Sequence, residues 1–188
     1  MELLVASALG LVVILAGIQL LRTHAALALQ VQADLGASSG AVWALRTALR
    51  DVKRAGADPL QRGLPAVATA HPSAFALTRD ADSDGAIDVR SEESVGFAWS
   101  GRQGGRVARR VGAQSMAVVA EVPEGGLRLR YFDGRGRELS ATGGLGDADR
   151  ARVRRVEVDL EVVERIGHVS GRVLLSGGAS VRVREGVR

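Results

Sequence analysis

The first twenty-one residues constrain this chain most, because they form an apolar run that begins directly after an acidic residue. Residues 3–21 contain no charged side chain and no proline. As a helix they would extend about 28 Å, close to the thickness of the hydrocarbon core of a bilayer. Glu2 precedes the run, and a carboxylate there is costly in a membrane unless a partner neutralises it. The run predicts a membrane span with a functional acid at its start.

Two simpler interpretations of the run remain open. A cleaved signal peptide has a basic start and an apolar core of about 7–15 residues. This chain instead begins with an acid and has a longer run, although Ala25, Ala26 and Ala28 could supply a cleavage site. The other interpretation is an ordinary single-span anchor. Neither gives Glu2 a function.

The order Glu-Leu-Leu-Val-Ala at residues 2–6, followed by small and aliphatic residues, resembles the N-terminal segment of type IV pilins and type II secretion pseudopilins. Glu2 matches the glutamate of that family, which implies a role in filament assembly. The family's basic leader and its Phe-Thr-Leu do not stand before Glu2, so cleavage and N-methylation are not carried over. A prepilin peptidase is expected as a partner where a leader precedes Met1.

A second segment, residues 44–57, resembles the helix end of minor pilins of the PilW type, and J-type pseudopilins have similar helix ends. The resemblance implies a minor pilin-like subunit of a type IV pilus, or a minor pseudopilin of a type II secretion system. It also implies a single-pass protein of the bacterial inner membrane with its head in the periplasm. The expected partners are the inner membrane and other pilin or pseudopilin subunits, in a pilus or pseudopilus filament after assembly.

The order of elements predicts an α+β fold, which the resemblance makes pilin-like, with a long N-terminal helix packed on an antiparallel β-sheet. We expect four segments along the chain. These are a transmembrane part of the helix (1–22), an amphipathic part of the same helix (23–56), a proline-containing connection (57–73) and a β-rich globular head (74–188).

The amphipathic part of the helix carries an apolar stripe at helical spacing, formed by Val42, Leu45, Leu49 and Val52. Gly36 and Gly40 favour a bend or local unwinding inside it. Gly56 followed by Pro59 predicts that the helix ends near Ala55. We expect the stripe to cover the sheet.

Short apolar runs separated by glycine-rich turns predict antiparallel strands at residues 95–99, 107–111, 116–122 and 127–132. Asp133, Gly134 and Gly136 then predict a tight hairpin. The clearest strand is at residues 156–162, where alternation places four aliphatic side chains on one face and three acids on the other. Residues 178–184 predict the last strand.

Carboxylates alternate at Asp80, Asp82 and Asp84 and are followed by Gly85, as in the first half of an EF-hand-like loop. The side chains at such positions converge on a calcium ion, and the glycine permits the sharp turn. The sequence therefore predicts calcium as a cofactor. An acidic surface turn without a metal is the alternative, because Asp, Ser and Gly favour turns.

The second half of this loop departs from the pattern. The position of the bidentate glutamate falls on Ser91. Asp88, Glu92 or Glu93 must therefore complete the shell. Our predicted ligand set is Asp80, Asp82, Asp84, Asp88 and Glu92.

Basic residues are concentrated in the second half of the chain. Residues 71–100 carry two arginines against six acids, and residues 101–188 carry seventeen arginines against eleven acids. Many of these arginines alternate with apolar residues, which is typical of the solvated face of a sheet. A DNA-binding pilus subunit therefore stays an alternative, but nucleic acid is not the partner that the sequence favours.

Catalysis has little support in the sequence, and we expect no enzyme. His24, His71 and His168 are scattered, and the chain has no cysteine. Ser38 lies in a Gly-x-Ser-x-Gly pattern, but both flanks are helical, whereas a nucleophile elbow follows a strand. Trp43 is expected in a core or interface. The remaining alternative of another class is a single-span periplasmic calcium-binding module that does not polymerise.

Overall fold

The computed structural model describes residues 2–101, 105–119 and 121–182. Within these residues the chain forms two helices and nine strands. In chain order they are α1 (Glu2–Arg54), β1 (Val67–His71), β2 (Ala74–Thr78), β3 (Ser94–Ser100), β4 (Arg106–Val111), β5 (Gln114–Val119), β6 (Leu127–Phe132), β7 (Glu138–Leu139), α2 (Asp147–Arg150), β8 (Arg155–Ile166) and β9 (Val169–Ser180).

The predicted α+β class is confirmed, but the head contains two antiparallel sheets where the sequence predicted one. The first sheet has the order β1-β2-β3-β4-β5, and the second has the order β7-β6-β8-β9. The turn between β1 and β2 joins them, because the N–H of Leu129 donates to the carbonyl of Pro72 at 2.8 Å. The buried hydroxyl of Tyr131 donates to the carbonyl of His71 at 2.8 Å. One hydrophobic core therefore lies between α1 and both sheets.

Helix α1 is continuous over 53 residues, about 80 Å at the usual rise. The prediction of local unwinding near Gly36 and Gly40 is wrong, since the helix runs through both. The predicted end near Ala55 is confirmed. Gly56 ends the helix with a φ of +74°, which glycine adopts without strain, and its N–H donates to the carbonyl of Thr78 at 2.9 Å.

The face of α1 that packs on the sheets is lined mainly with alanines, and Leu45 and Leu49 of the predicted stripe pack against the core beside them. The buried residues recur at spacings of three and four: Ala33, Ala37, Ala41, Ala44, Ala48, Val52 and Ala55. Of the predicted stripe, Val52 is fully buried, and Val42, Leu45 and Leu49 are half-buried on the flank. Small side chains let the helix backbone lie closer to the sheet than leucines would permit.

Strand β9 supplies the matching surface. A Cβ built on Gly171 would lie 2.6 Å from backbone atoms of Ala33 and Asp34. Further along the strand, a Cβ on Gly177 would lie 2.9 Å from Leu49 Cδ1.

The last strand, predicted at residues 178–184, is placed wrongly. The strand begins nine residues earlier, at Val169, and ends at Ser180; residues 183 and 184 lie outside the described residues.

The proline-containing connection includes strand β1, so the head begins at Val67 rather than at residue 74. Pro65 and Pro72 flank this strand without interrupting it. Because β1 is an edge strand, it pairs with β2 on one side only, and a proline at either end removes no ladder hydrogen bond.

Most of the other predicted strands are confirmed. β3, β4, β6 and β8 contain residues 95–99, 107–111, 127–132 and 156–162. β8 buries Val156, Val158, Leu160 and Val162, as the alternation predicts. The predicted hairpin is also confirmed, because the N–H of Asp133 donates to the carbonyl of Arg137 at 2.9 Å between β6 and β7. The strand predicted at 116–122 instead occupies Gln114–Val119.

One ion pair ties the helix to the first sheet. Arg109 on β4 donates from Nε and Nη2 to the two carboxylate oxygens of Asp51, at 2.7 and 3.1 Å. Asp51 is buried, and this hydrogen bond raises the pKa of Arg109. The bidentate geometry fixes the orientation of α1 about its axis as well as its position.

We predict that Gly171→Ala destabilises the fold by about 1–3 kcal/mol, because the added methyl group overlaps the backbone of α1. Gly178→Ala on the same strand is the matched control. Its added methyl group meets the flexible side chain of Glu157 at 3.1 Å and should cost less than about 0.5 kcal/mol. Chemical denaturation of the full chain in detergent measures both. Equal stability of the two variants would contradict the close helix–strand contact.

Candidate functional site

The N-terminal half of α1 is the first candidate site. Among the described residues, α1 is the one helix long and apolar enough to span a membrane, with a mean hydropathy of 1.8 in its most apolar window. Residues 6–29 are exposed throughout, so the head covers none of them. Glu2 is exposed at the start of the helix. Length and composition therefore support a membrane span.

Apolar exposure on α1 does not stop at the predicted polar boundary, Arg22. The large apolar side chains exposed beyond it are Leu27, Leu29, Val31, Leu35 and Trp43. Leu35 is 65% exposed and Trp43 is 52% exposed. Trp43 therefore lies outside the core of this chain and is available to an interface. An apolar face of this extent is unusual on a soluble monomer.

The second candidate site is the acidic loop, residues 79–93, which joins β2 to β3. Its two ends are held together, since the N–H of Arg79 donates to the carbonyl of Glu93 at 3.0 Å. The N–H of Asp80 donates to the carbonyl of Ala57 at 2.8 Å, just past the end of α1. The acidic loop is thereby attached to the point where the helix leaves the head.

Asp80 organises the turn of the acidic loop. It is only 3% exposed, and its two carboxylate oxygens accept the N–H groups of Ser83 at 2.6 Å and Gly85 at 3.1 Å. Ser83 and Gly85 have φ values of +66° and +82°. For Gly85 this left-handed backbone is free of strain, as the predicted glycine turn requires.

Glu93 closes the acidic loop from the opposite end and is also buried. Its Oε1 accepts the N–H of Ala81 at 2.7 Å, and its Oε2 accepts the N–H of Asp88 at 2.8 Å. The N–H groups of Asp88 and Ala81 hold the pKa of Glu93 below its ordinary value. Glu93 is therefore an ionised carboxylate that the backbone of the acidic loop surrounds.

Three carboxylates of the acidic loop converge on one point. One oxygen each from Asp80, Asp82 and Glu93 lies within 4.8 Å of the other two. Oxygens that bind calcium lie about 2.3–2.6 Å from the ion, so two of them are separated by up to about 5 Å. Each carboxylate oxygen has two lone pairs. Oε1 of Glu93 accepts a second N–H, from Asp82 at 3.4 Å, whereas an oxygen with one backbone hydrogen bond, such as Oε2 of Glu93, keeps a lone pair free. This acidic triad could therefore hold a metal ion.

The acidic triad contains two of the five predicted ligands. Asp84 and Asp88 lie outside it and accept backbone N–H groups of their own, from Ala86 and Arg90, both at 2.8 Å. Glu92 is exposed and pairs with Arg79 at 3.4 Å. Glu93 is one of the three residues that the sequence analysis gave as candidates to complete the ligand set, and it is the third member of the triad.

The electrostatics of Asp82 reflect the crowding of carboxylates. Asp82 is exposed; the N–H of Asp84 lowers its pKa, but partial desolvation and the neighbouring carboxylates of Asp84, Glu93 and Asp80 outweigh this and raise the pKa. A cation would remove this repulsion. Protons and a metal ion therefore compete for Asp82.

The arginine-rich outer face of the second sheet is balanced by acids on the neighbouring strand. Arg130 on β6 pairs with Glu157 at 2.9 Å and with Asp159 at 3.5 Å, both on β8. Arg155 also pairs with Glu157 at 2.9 Å, and Arg172 pairs with Glu161. These pairs reduce the charge that this face offers to a nucleic acid.

The three histidines lie on three different elements. His24 is exposed on α1, His71 ends β1, and His168 lies in the turn between β8 and β9. Ser38 lies inside α1, so no strand precedes it. The arrangement that a nucleophile elbow needs is therefore not formed at this position.

Comparison of the chain with family models, with curated proteins and with solved structures finds no match.

We predict that Glu93→Gln destabilises the chain near neutral pH by about 1–2 kcal/mol, because charge-assisted hydrogen bonds to the backbone are lost. The lowered pKa of Glu93 stabilises the fold above the pKa of the unfolded state, and this contribution is lost as the pH falls through the folded value. Glu93→Gln should therefore flatten the loss of stability below about pH 4.5.

Unfolding midpoints measured from neutral to acidic pH test this prediction. Glu92→Gln is the matched control, since Glu92 is the neighbouring residue and its exposed side chain pairs with Arg79 on the surface. Surface pairs contribute about 0–1 kcal/mol. The same pH profile for both variants would contradict the structural role of Glu93.

Proposed function

We propose that this chain is a minor pilin-like subunit of a type IV pilus, incorporated into a filament, or priming one, through α1. The bacterial inner membrane holds it before assembly, with the head in the periplasm. The observation that carries the proposal is the apolar exposure of α1 beyond the length that a bilayer needs. A long helix that crosses antiparallel sheets with only its C-terminal half is the expected pilin-like arrangement.

The length of α1 fits two apolar environments in succession, lipid before assembly and the helices of neighbouring subunits after it. Residues 3–21 match the hydrocarbon thickness, about 30 Å. Leu35 lies fourteen residues further, about 21 Å beyond the end of that segment. In the membrane-anchored state, lipid covers the first segment and leaves the exposed apolar side chains from Leu27 onward in water. Packing among the helices of neighbouring subunits would bury both.

Glu2 gives the assembled state its register in this proposal. A carboxylate among apolar helices is costly unless it is paired or protonated. The family resemblance supplies the partner, the terminal amine of a neighbouring subunit. A minor pseudopilin of a type II secretion system uses the same helix in the same way and is the alternative within this class; the helix end at residues 44–57 favours the pilus.

We further propose that calcium is the ion of the acidic triad. The ligands are hard carboxylate oxygens. Calcium and magnesium prefer such oxygens, whereas softer metals prefer nitrogen or sulfur ligands. Calcium accepts six to eight oxygens in a flexible geometry, and the acidic loop carries further carboxylates at Asp84 and Asp88. The triad also favours a second candidate function, a single-span periplasmic calcium-binding module that never polymerises.

We predict that Leu35→Glu lowers recovery of the chain in sheared filaments by about tenfold or more, because an unpaired carboxylate buried between helices costs several kcal/mol. Leu174→Glu is the matched control. Leu174 is 69% exposed on β9, similar to Leu35, but lies on the head instead of the helix. Membrane fractionation should show equal anchoring of both variants.

Glu2→Ala separates the two proposed functions. The filament subunit predicts loss of assembly with unchanged membrane anchoring. The non-polymerising module predicts no change in partners or localisation. Filament recovery of Leu35→Glu and Glu2→Ala at the level of the unchanged chain would contradict the filament function.

Calcium binding makes a separate prediction. Isothermal titration of the full chain in detergent, after treatment with a chelator, should show calcium binding that Asp82→Asn weakens about tenfold or more, because one charged ligand is lost. Affinity should also fall as the pH drops through the raised pKa of Asp82. Asp147→Asn, an exposed acid outside the acidic loop, is the control. Equal affinity in both variants would contradict the triad as the site.

A further inference from the structure

The β8–β9 hairpin runs alongside α1 toward the predicted membrane span. Four contacts define its direction. The N–H of Arg182 donates to the carbonyl of Ala55 at 3.2 Å. Gly177 lies against Leu49, and Gly171 against Ala33 and Asp34. Closest to the membrane, Nε2 of Gln30 donates to the carbonyl of Ser170 at 3.2 Å. As the residue numbers on β9 fall, the helix residues they contact move toward the N-terminus.

These contacts show that the hairpin and the helix are nearly parallel. From Gly171 to Arg182 an extended chain spans about 36 Å. The corresponding helix segment, from Asp34 to Ala55, spans about 32 Å. The similar lengths leave little angle between the two elements.

The same geometry locates the turn of the hairpin, Gly167 and His168. It lies about 8 Å beyond Ser170 along the strand direction. Along α1, Arg22 lies about 12 Å before Gln30. The turn is therefore within about 4 Å of the level of Arg22, where the predicted span ends. Headgroups occupy roughly 5–7 Å on each side of the hydrocarbon core, so the turn falls within their layer.

The side chains at this level suit an anionic surface. Arg165 and His168 are exposed on the hairpin, and Arg22 and His24 are exposed on α1. Within the described part of the chain, neither Arg22 nor Arg165 forms an ion pair. Glu164, the acid next to Arg165 in the sequence, places its carboxylate against Gly36 on the helix.

Apolar residues accompany these basic groups. Ile166 and Val169 pair with one another at the end of the hairpin and are half-buried. A segment that combines basic and apolar side chains has the composition that binds the interface of anionic bilayers.

We propose that the hairpin tip, residues 165–169, docks on anionic phospholipid headgroups when α1 is inserted. The tip and the Arg22 side of the helix then hold the head upright on the membrane surface. The proposal rests on the part of the proposed function that inserts residues 3–21 in a bilayer, and it does not depend on assembly into a filament. Extraction of the subunit into a filament would break this contact.

The absence of cysteine from the sequence allows a site-specific test. The full chain carrying His168→Cys or the control Leu174→Cys is labelled with a fluorophore. Each is reconstituted in vesicles of phosphatidylcholine, with or without one third phosphatidylglycerol and with a quencher attached to the headgroups. Position 174 lies about 20 Å further from the membrane. We expect quenching several times stronger at position 168, and stronger still with phosphatidylglycerol.

Charge reversal provides a second variant. Arg165→Glu should abolish the effect of phosphatidylglycerol at position 168, whereas Arg106→Glu, an exposed arginine on β4, should leave it unchanged. Equal quenching at positions 168 and 174 in vesicles that retain the chain through alkaline extraction would overturn the hairpin-tip proposal alone. Release of the chain by alkaline extraction would overturn the membrane span as well.

Discussion

The close contact between α1 and β9 is the constraint on which the rest of the structure depends. Alanines on the helix and Gly171 on the strand bring the two backbones together, and Asp51 fixes the rotation of the helix through Arg109. With the C-terminal half of α1 held in this way, residues 6–29 of the described helix stay exposed. The same contact aligns the β8–β9 hairpin with the helix and so determines which turn of the head would approach the membrane in the proposed orientation.

The helix end and the alternating strand β8 could be predicted from the sequence, because each depends on local chemistry. A glycine followed three residues later by a proline, as at Gly56 and Pro59, is a local stop signal for a helix, and alternation of valine with acids requires one buried face. The alanine face could not be predicted from apolar patterning, since alanines also occupy the exposed side of α1. The first nine residues of β9 were missed for a related reason: its glycines and serines resemble a loop, and they are used because the helix lies directly above them.

The acidic loop shows the same division between local and nonlocal information. Asp80, Asp82 and Gly85 follow a spacing whose geometry depends on a few neighbouring residues, and the structure brings the two carboxylates together as that spacing predicts. Glu93 joins them because β2 and β3 are paired, which places the start of β3 beside the end of β2. The spacing of an isolated loop favoured the neighbouring Glu92, and only strand pairing distinguishes the two.

The attachment of the acidic loop to Ala57 links the two candidate sites. Asp80 holds the turn with its carboxylate and the end of α1 with its backbone N–H. An ion bound at the triad would relieve the repulsion at Asp82 and stabilise the loop in the conformation that contacts the helix end. Force exerted on α1 would reach the head through this junction as well as through β8, β9 and the Asp51–Arg109 pair. In the filament subunit proposed above, a cation there would stabilise the head where the helix transmits load.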